Sequence, residues 1–410
     1  MRISTYQFYS QNVSMMNDQQ SQLSQLYQQI SSGISLTTPA DNPLGAAQAV
    51  QLSMTSATLS QYTANQSSAL TSLQMEYQTL TSVNSVLNGI YQTAMSAGNG
   101  TLSDSDRSAL ATQMQGARNQ LLTLANATDG SGNYLFSGFQ ATTQPFTNKP
   151  GGGASYSGDG GSRVVQITDT ASVSQSDDGA SVFQSVPMLG SQPVPAAGVA
   201  NTGTGTIGAV TITNPTDPTN AHKFTITFGG TAAAPTYTVT DNTVVPPTTT
   251  PAQPYADGSA IVVGSQKVAV SGKVAPGDTF SVTPAPQAGT DIFATLDTMI
   301  AALKQPVGSS TVAAAALQNI MTTGATQLTN TMTNVLTVQA SVSGRAQEVT
   351  AMQSVTSNNS LQTANNLANV TSTNLPAAIS QFLQMQNSLT AAQKAFVQIQ
   401  NLSLFQYINP

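Results

Sequence analysis

Apolar residues recur at intervals of seven near both ends of this chain, and between those stretches the rhythm shortens to two. Met16, Leu23 and Ile30 stand seven apart and Leu26 follows Leu23 by three, which predicts a short amphipathic helix. The block "SSGISLTTPADNP" stops it, and a second helix starts with Asp41 or Asn42 as cap and Pro43 in its first turn. Its seam is long: Leu52, Leu59, Gln66, Leu73, Leu80 and Leu87 are spaced by seven, and Tyr62, Ala69, Val83 and Ile90 fall three residues after members of that series. A helix from 44 to 97 would be roughly 80 Å long and needs other helices beside it.

A third helix begins at Ser103, with Asp106 completing a capping box, and carries Leu110, Met114, Ala117, Leu121 and Leu124 on one face until Gly130. "DGSGNYLFSGF" then reads as a hairpin near 129–139. From 148 to 290 the pattern changes to short runs such as "RVVQIT", "KFTITF", "TYTVT" and "DTFSVT", separated by Gly, Pro and Asn, which predict a separate β domain led in by the flexible stretch "NKPGGGASYSGDGGS". Helix returns after 290, with Phe293, Leu296, Ile300 and Leu303 on one face, then Met321, Leu328, Val335, Val342 and Val349. Pro376 opens the last helix, whose stripe holds Leu375, Phe382, Leu389 and Phe396 at one heptad position and Ala378, Met385, Ala392 and Ile399 at another, with Leu402 and Phe405 beyond.

The expected fold class is α+β: a long helical coiled-coil rod formed by both chain ends, with a separate central β-rich domain. Terminal helices, disordered in the monomer and coiled-coil on assembly, are expected in 1–43 and 373–410, the rod in 44–147 and 291–372, and the outer β domain in 148–290. We assign the seams of 44–130 and 310–372 to an internal bundle core. The outermost stripes need a partner, because an isolated helix of this length does not offset its own ordering entropy. Their expected interface residues are Met16, Leu23, Leu26, Ile30, Leu375, Phe382, Met385, Leu389, Phe396, Ile399, Leu402 and Phe405.

Composition narrows the partner. Only 7% of the 410 residues are charged, against about 25% in an ordinary soluble protein, and segments 1–32 and 375–410 hold only Arg2, Asp18 and Lys394. Such a surface keeps little repulsion between copies. The net charge of −6 with scattered basic residues argues against nucleic acid. No cysteine is present, no basic-then-apolar leader opens the chain, and no apolar run of about 18 residues could insert in a membrane. We expect a protein that is cytosolic or exported without a cleaved signal.

Candidate chemistry is sparse. His222 lacks a second histidine or a cysteine and reads as a solvated surface side chain. Asp104, Asp106 and Arg107 read as helix-cap and dipole residues, Asp177 and Asp178 before Gly179 as a turn, and "PGGG" lacks the Lys-Ser/Thr ending of a phosphate loop. No catalytic site, cofactor or metal is expected.

"MRISTYQFYSQN", "QISSGISLTTPADNPLGAAQAVQLS", the block from "NGTLSDSDR" to "FSGFQATTQPF", "FATLDTMIAALKQPV" and "SLTAAQKAFVQIQNLSLFQYI" together resemble the flagellin-like hook-associated protein 3 family of bacterial flagella. The resemblance covers 1–147 and 291–410. It implies a non-enzymatic adaptor at the hook-filament junction that self-associates in a ring and joins hook-associated protein 1 to flagellin. It also implies export through the flagellar type III system, with a chaperone on the C-terminal segment, and an extracellular place in the flagellum. Flagellin itself is the runner-up, sharing "SSG" and "ADNPLGAA". A secreted membrane-active translocator and an adhesin are the rivals from other classes. Relatives often carry acidic residues where this chain has "NVTSTNLPAAIS".

Overall fold

The computed structural model describes residues 5–98, 100 and 102–408, with side chains described from 6 to 399. Seven helices are found among them: α1 Thr5–Ser32, α2 Pro43–Ala97, α3 Asp104–Ala125, α4 Gly179–Phe183, α5 Ile292–Lys304, α6 Thr311–Thr371 and α7 Leu375–Ile408. The fold is α+β, with long helices toward both chain ends and strands between them. The chain divides into two units, one of Met1–Ala64 with Gln353–Pro410 and one of Asn65–Met352.

Within Asn65–Met352, burial along α2 steps by three and four through Gln66, Ala69, Leu73, Glu76, Leu80, Val83, Leu87 and Ile90, the period that keeps one face turned to a partner helix. That partner is α6, where Met321, Leu328, Val335, Val342 and Val349 are buried at steps of seven. The two run antiparallel: Leu73 and Tyr77 share a groove with Val342 and Ala346, and Tyr91 and Ala94 lie beside Met321 and Ala325. Gln339 Nε2 donates to Thr81 Oγ1 across the pair at 2.7 Å.

Helix ends follow local chemistry. Asn42 caps α2 by accepting from Gly45 N at 2.9 Å. Ser103 and Asp106 form the reciprocal capping box of α3, and Asp291 caps α5. α3 stops at Asn126, before the expected Gly130, because the Asn126 amide is drawn to the backbone of Phe146, donating to its carbonyl and accepting from its N–H at 2.9 Å each. In place of a hairpin at 129–139 the chain makes a single antiparallel bridge, Thr128 with Tyr134. The Asp129 carboxylate, accepting from Ser131 N and Asn133 N, curls the turn too tightly for a longer ladder.

The strands fall into two groups. β1 Phe146–Asn148 pairs with β2 Ala154–Tyr156, and β3 Val164–Gln166 with β4 Ser172–Ser174, all antiparallel. Phe146, Ile167, Val173, Val182 and Phe183 belong to the same core as α2, α3, α5 and α6. Phe183 lies 5.4 Å from both Phe136 and Phe146, and Phe146 lies 5.6 Å from Phe293. The stretch up to Phe183 is therefore part of the helical core, which corrects the expected domain start at 148; the aromatic cluster draws it in.

The second group has its own core. β5 Val194–Ala197, β6 Thr206–Ile207, β7 Thr211–Ile212, β8 Phe224–Thr231, β9 Ala234–Asp241, β10 Thr248–Thr249, β11 Gln253–Pro254, β12 Ala260–Val263, β13 Gln266–Ser271 and β14 Thr279–Thr283 follow in order. One sheet runs β10-β9-β8-β14-β5 with β11 also on β9; the other runs β12-β13-β6 with β7 also on β13. Phe224, Ile226, Phe228, Phe280 and Val282 from the first meet Ile261, Val263, Val268 and Val270 from the second. Alternate residues of β8 and β14, such as Thr225, Thr227 and Ser281, stay partly exposed, the period-two signature of a sheet with one face in a core.

The "PGGG" motif has a structural task. Gly151, Gly152 and Gly153 all take positive φ, from 85° to 108°, where a side chain is strained. This bend delivers Gly153 N to Asp297 Oδ2 at 2.7 Å and Gly153 O to Arg118 Nη2 at 3.2 Å. Arg118, on α3 and nearly fully buried, clasps Asp297 of α5 with two bonds of 2.9 Å and also donates to Asn148 Oδ1. One guanidinium so ties two helices and a hairpin together. Replacing Arg118 with Met should destabilise the Asn65–Met352 unit by about 3 kcal/mol, since the Asp297 carboxylate loses its counter-charge; chemical denaturation followed by circular dichroism measures it, with Asp297→Asn in the Arg118→Met background expected to recover part of the loss.

Candidate assembly interface

The terminal stripes meet within the unit Met1–Ala64 with Gln353–Pro410. Tyr9 and Phe396 stack edge to face at 5.5 Å, and Tyr27 and Phe382 lie 6.4 Å apart. Early α1 thus faces late α7, and the pair is antiparallel. At its closed end Ser35 N donates to Thr371 O at 2.8 Å and Thr373 N to Gly33 O at 2.9 Å, a bridge between Ile34 and Ser372. Gly33 turns there at φ 72°, which ends α1 at the cost only glycine avoids.

The loop "SLTTPADN" is organised by one carboxylate. Asp41 accepts from Thr37 Oγ1 at 2.9 Å, Thr38 N at 2.8 Å and, with its other oxygen, Gln25 Nε2 at 2.7 Å, which pins the loop to α1. The Thr38 backbone bond first, then Thr37, hold the Asp41 carboxyl below its usual range.

Met16, Leu23, Leu26 and Ile30 of α1 are half-buried, as are Phe382, Met385, Leu389 and Phe396 of α7, and Ala378 is buried. Leu375 and Ile399 are exposed. Leu375 is the first residue of α7, level with the break after α1; Ile399 lies beyond the Tyr9–Phe396 contact, where α1 has little length left. The side chains of Leu402 and Phe405 lie outside the described residues. Half-burial is the geometric result of two helices covering one another on a single side.

A second apolar series adjoins the first and remains open. On α1 Tyr6, Val13 and Tyr27 recur at multiples of seven, and Tyr6 is 82% exposed. On α7 Ile379, Leu383 and Val397 are exposed. The sequence signal for α1 was available: Tyr6, Tyr9, Val13, Met16, Gln20, Leu23, Tyr27 and Ile30 alternate steps of three and four, a coiled-coil seam shifted from the one that α7 covers. In this unit only Asp18, Asp41 and Lys394 are charged among the described residues.

The family follows from comparison. The model of the bacterial flagellin N-terminal helical region matches residues 3–141. The flagellar hook-associated protein 3 of Salmonella typhimurium and that of Escherichia coli are each 30% identical over 410 residues, covering 99% of both chains. The chain belongs to the flagellar hook-associated protein 3 family. Its fold matches the crystal structure of the flagellar hook-associated protein 3 of Legionella pneumophila, with a TM-score of 0.70 and 27% identity over 78% of this chain and 98% of that one. The FlgL of Xanthomonas campestris gives a TM-score of 0.67 at 25% identity, over 76% and 98%. Relatives of this family are flagellar junction proteins, which gives this chain a structural role in the flagellum.

The remaining candidates are structural too. Asp104 and Asp106 lie in the first turn of α3, and Asp104 also accepts from Val307 N at 3.0 Å. Asp178 caps α4, whereas Asp177 pairs with Arg345 of α6 and is more than a turn residue. His222, expected to be solvated, is three-quarters buried: its Nδ1 lies 2.7 Å from Asp241 Oδ2, across the end of the β8–β9 ladder. No cluster of three metal-ligating side chains occurs among the described residues, and none of their helices is long and apolar enough to cross a membrane.

The ring pair gives a direct test of the α1–α7 contact. A double-mutant cycle on Tyr9→Ala and Phe396→Ala should return a coupling of about 0.5–1.5 kcal/mol beyond the single losses, read from thermal unfolding of the terminal helices by circular dichroism.

Proposed function

We propose that this protein is the adaptor that joins hook to filament, forming a ring between hook-associated protein 1 and flagellin. The observation that carries the reading is the open apolar series beside the α1–α7 seam. A monomer that leaves Tyr6, Val13, Ile379, Leu383 and Val397 in water has an incomplete core there, and neighbouring subunits with the same geometry complete it.

The chain reaches its site through the flagellar type III system without a cleaved signal, with a chaperone covering the C-terminal segment until export. A terminal pair covered on one side only suits this route, because it can open for passage through a narrow channel and is completed on docking. The full-length match to hook-associated protein 3 favours the junction over the filament body, although the flagellin N-terminal model also fits.

Two substitutions separate folding from assembly. Leu383→Asp, on the open series, should leave the α1–α7 pair intact in the monomer and abolish swimming in a strain lacking the wild-type gene, with unpolymerised flagellin in the medium. Leu389→Asp, on the covered seam, should lose both the helix pair and swimming. Wild-type swimming halos with Leu383→Asp sink the interface; a null strain that releases no flagellin points instead to a filament subunit.

A further inference from the structure

Glu76 occupies a seam position of α2, between Leu73 and Leu80, and is 1% exposed. Its Oε1 accepts from Asp177 N at 3.0 Å, while Oε2 has no hydrogen-bond partner. Arg345 of α6 faces the same place, but its charge is already engaged: Nη2 pairs with Asp177 Oδ2, and Nη1 donates to Ser174 O at 3.2 Å. Ser176 Oγ and Arg345 Nε are buried beside them without partners. Two carboxyl groups thus face one guanidinium, and Asp177 holds it. An ionised Glu76 would be a buried charge with no counter-charge of its own.

We infer that Glu76, Asp177 and Arg345 form a proton-gated latch that fastens the β3–β4 hairpin and its following strap to α2 and α6. The latch is closed while Glu76 carries a proton and is released when it ionises. Two further fastenings of this hairpin, Asn65 Nδ2 to Gln166 O at 2.8 Å and Gln66 Nε2 to Ile167 O at 2.7 Å, come from neutral amides. The groups whose charge reaches Glu76 are Asp177 from the strap and Arg345 from α6; burial, then Asp177, push its carboxyl from 4.5 up to about 8 against the opposing pull of Arg345. A raised carboxyl stabilises the closed form fully below pH 4.5, and that stability is lost as pH rises toward 8.

Hydrogen exchange of the full-length chain, corrected for intrinsic rates, tests this between about pH 5 and about pH 9. Opening of residues 164–178 should rise on the order of tenfold per pH unit up to about pH 8 and then level off, while β8 and β9 show no such trend. Glu76→Gln should flatten the curve. A flat wild-type curve, or the same rise in Glu76→Gln, overturns the latch. Should Glu76→Gln fail to fold, the carboxyl carbon of wild-type Glu76, followed by nuclear magnetic resonance, decides: a midpoint near 8 supports the latch and one near 4.5 refutes it.

Discussion

The antiparallel seam between α2 and α6 is the constraint on which the other parts rest. Its apolar positions repeat with the helix period over many turns, and the observed register buries one face of each helix, with Leu73, Leu80 and Leu87 on α2 and Leu328, Val335 and Val342 on α6. Charged groups sharpen that choice. Glu76 and Arg345 are brought opposite each other only in this register, and a slip by one turn would bury each without the Asp177 strap that engages them.

The scarcity of charge has a structural counterpart along α6. Where helices of ordinary composition would offer ion pairs, α6 offers amides to passing backbone. Asn319 accepts from Ile207 N at 2.8 Å and donates to Gly205 O at 3.0 Å; Asn330 does the same with Gln192, and Asn334 donates to Ser181 O and Val182 O. These bonds satisfy loop and strand backbone, and carbonyls near the end of α4, that the helices leave without a partner. A neutral side chain with both a donor group and an acceptor does this at lower desolvation cost than a charge. The Asn and Gln content is thus part of the docking chemistry of the loops and of the β sandwich.

How much of this could be read beforehand depended on sequence separation. The seams of α2, α6 and α7 were legible because helical contacts repeat locally every three or four residues. The capping box at Ser103 was legible for the same reason. The allocation of Phe146 and Phe183 to the helical core was not, since it depends on Phe293, more than a hundred residues away. Arg118 with Asp297, and His222 with Asp241, are likewise pairings that spacing does not announce. The open series on α1 was a different kind of miss. Two overlapping heptads share Tyr9, Met16, Leu23 and Ile30, and a reading that stops at the first accepts one partner where the residues provide for two.

That overlap bears on how such an end piece can be specific without charges. A helix with one apolar stripe is satisfied by one neighbour and then closes. A helix with two adjacent stripes remains unsatisfied after the first pairing, and under the proposed ring assembly α1 and α7 together present that second stripe to the next copy. With Asp18, Asp41 and Lys394 as the described charges of the whole unit, electrostatics supplies little discrimination among neighbours. Selection then rests on shape: Phe396 and Phe382 of α7 set their rings against Tyr9 and Tyr27 of α1, and the small Ala378 and Ala392 alternate with these large residues along the same stripe.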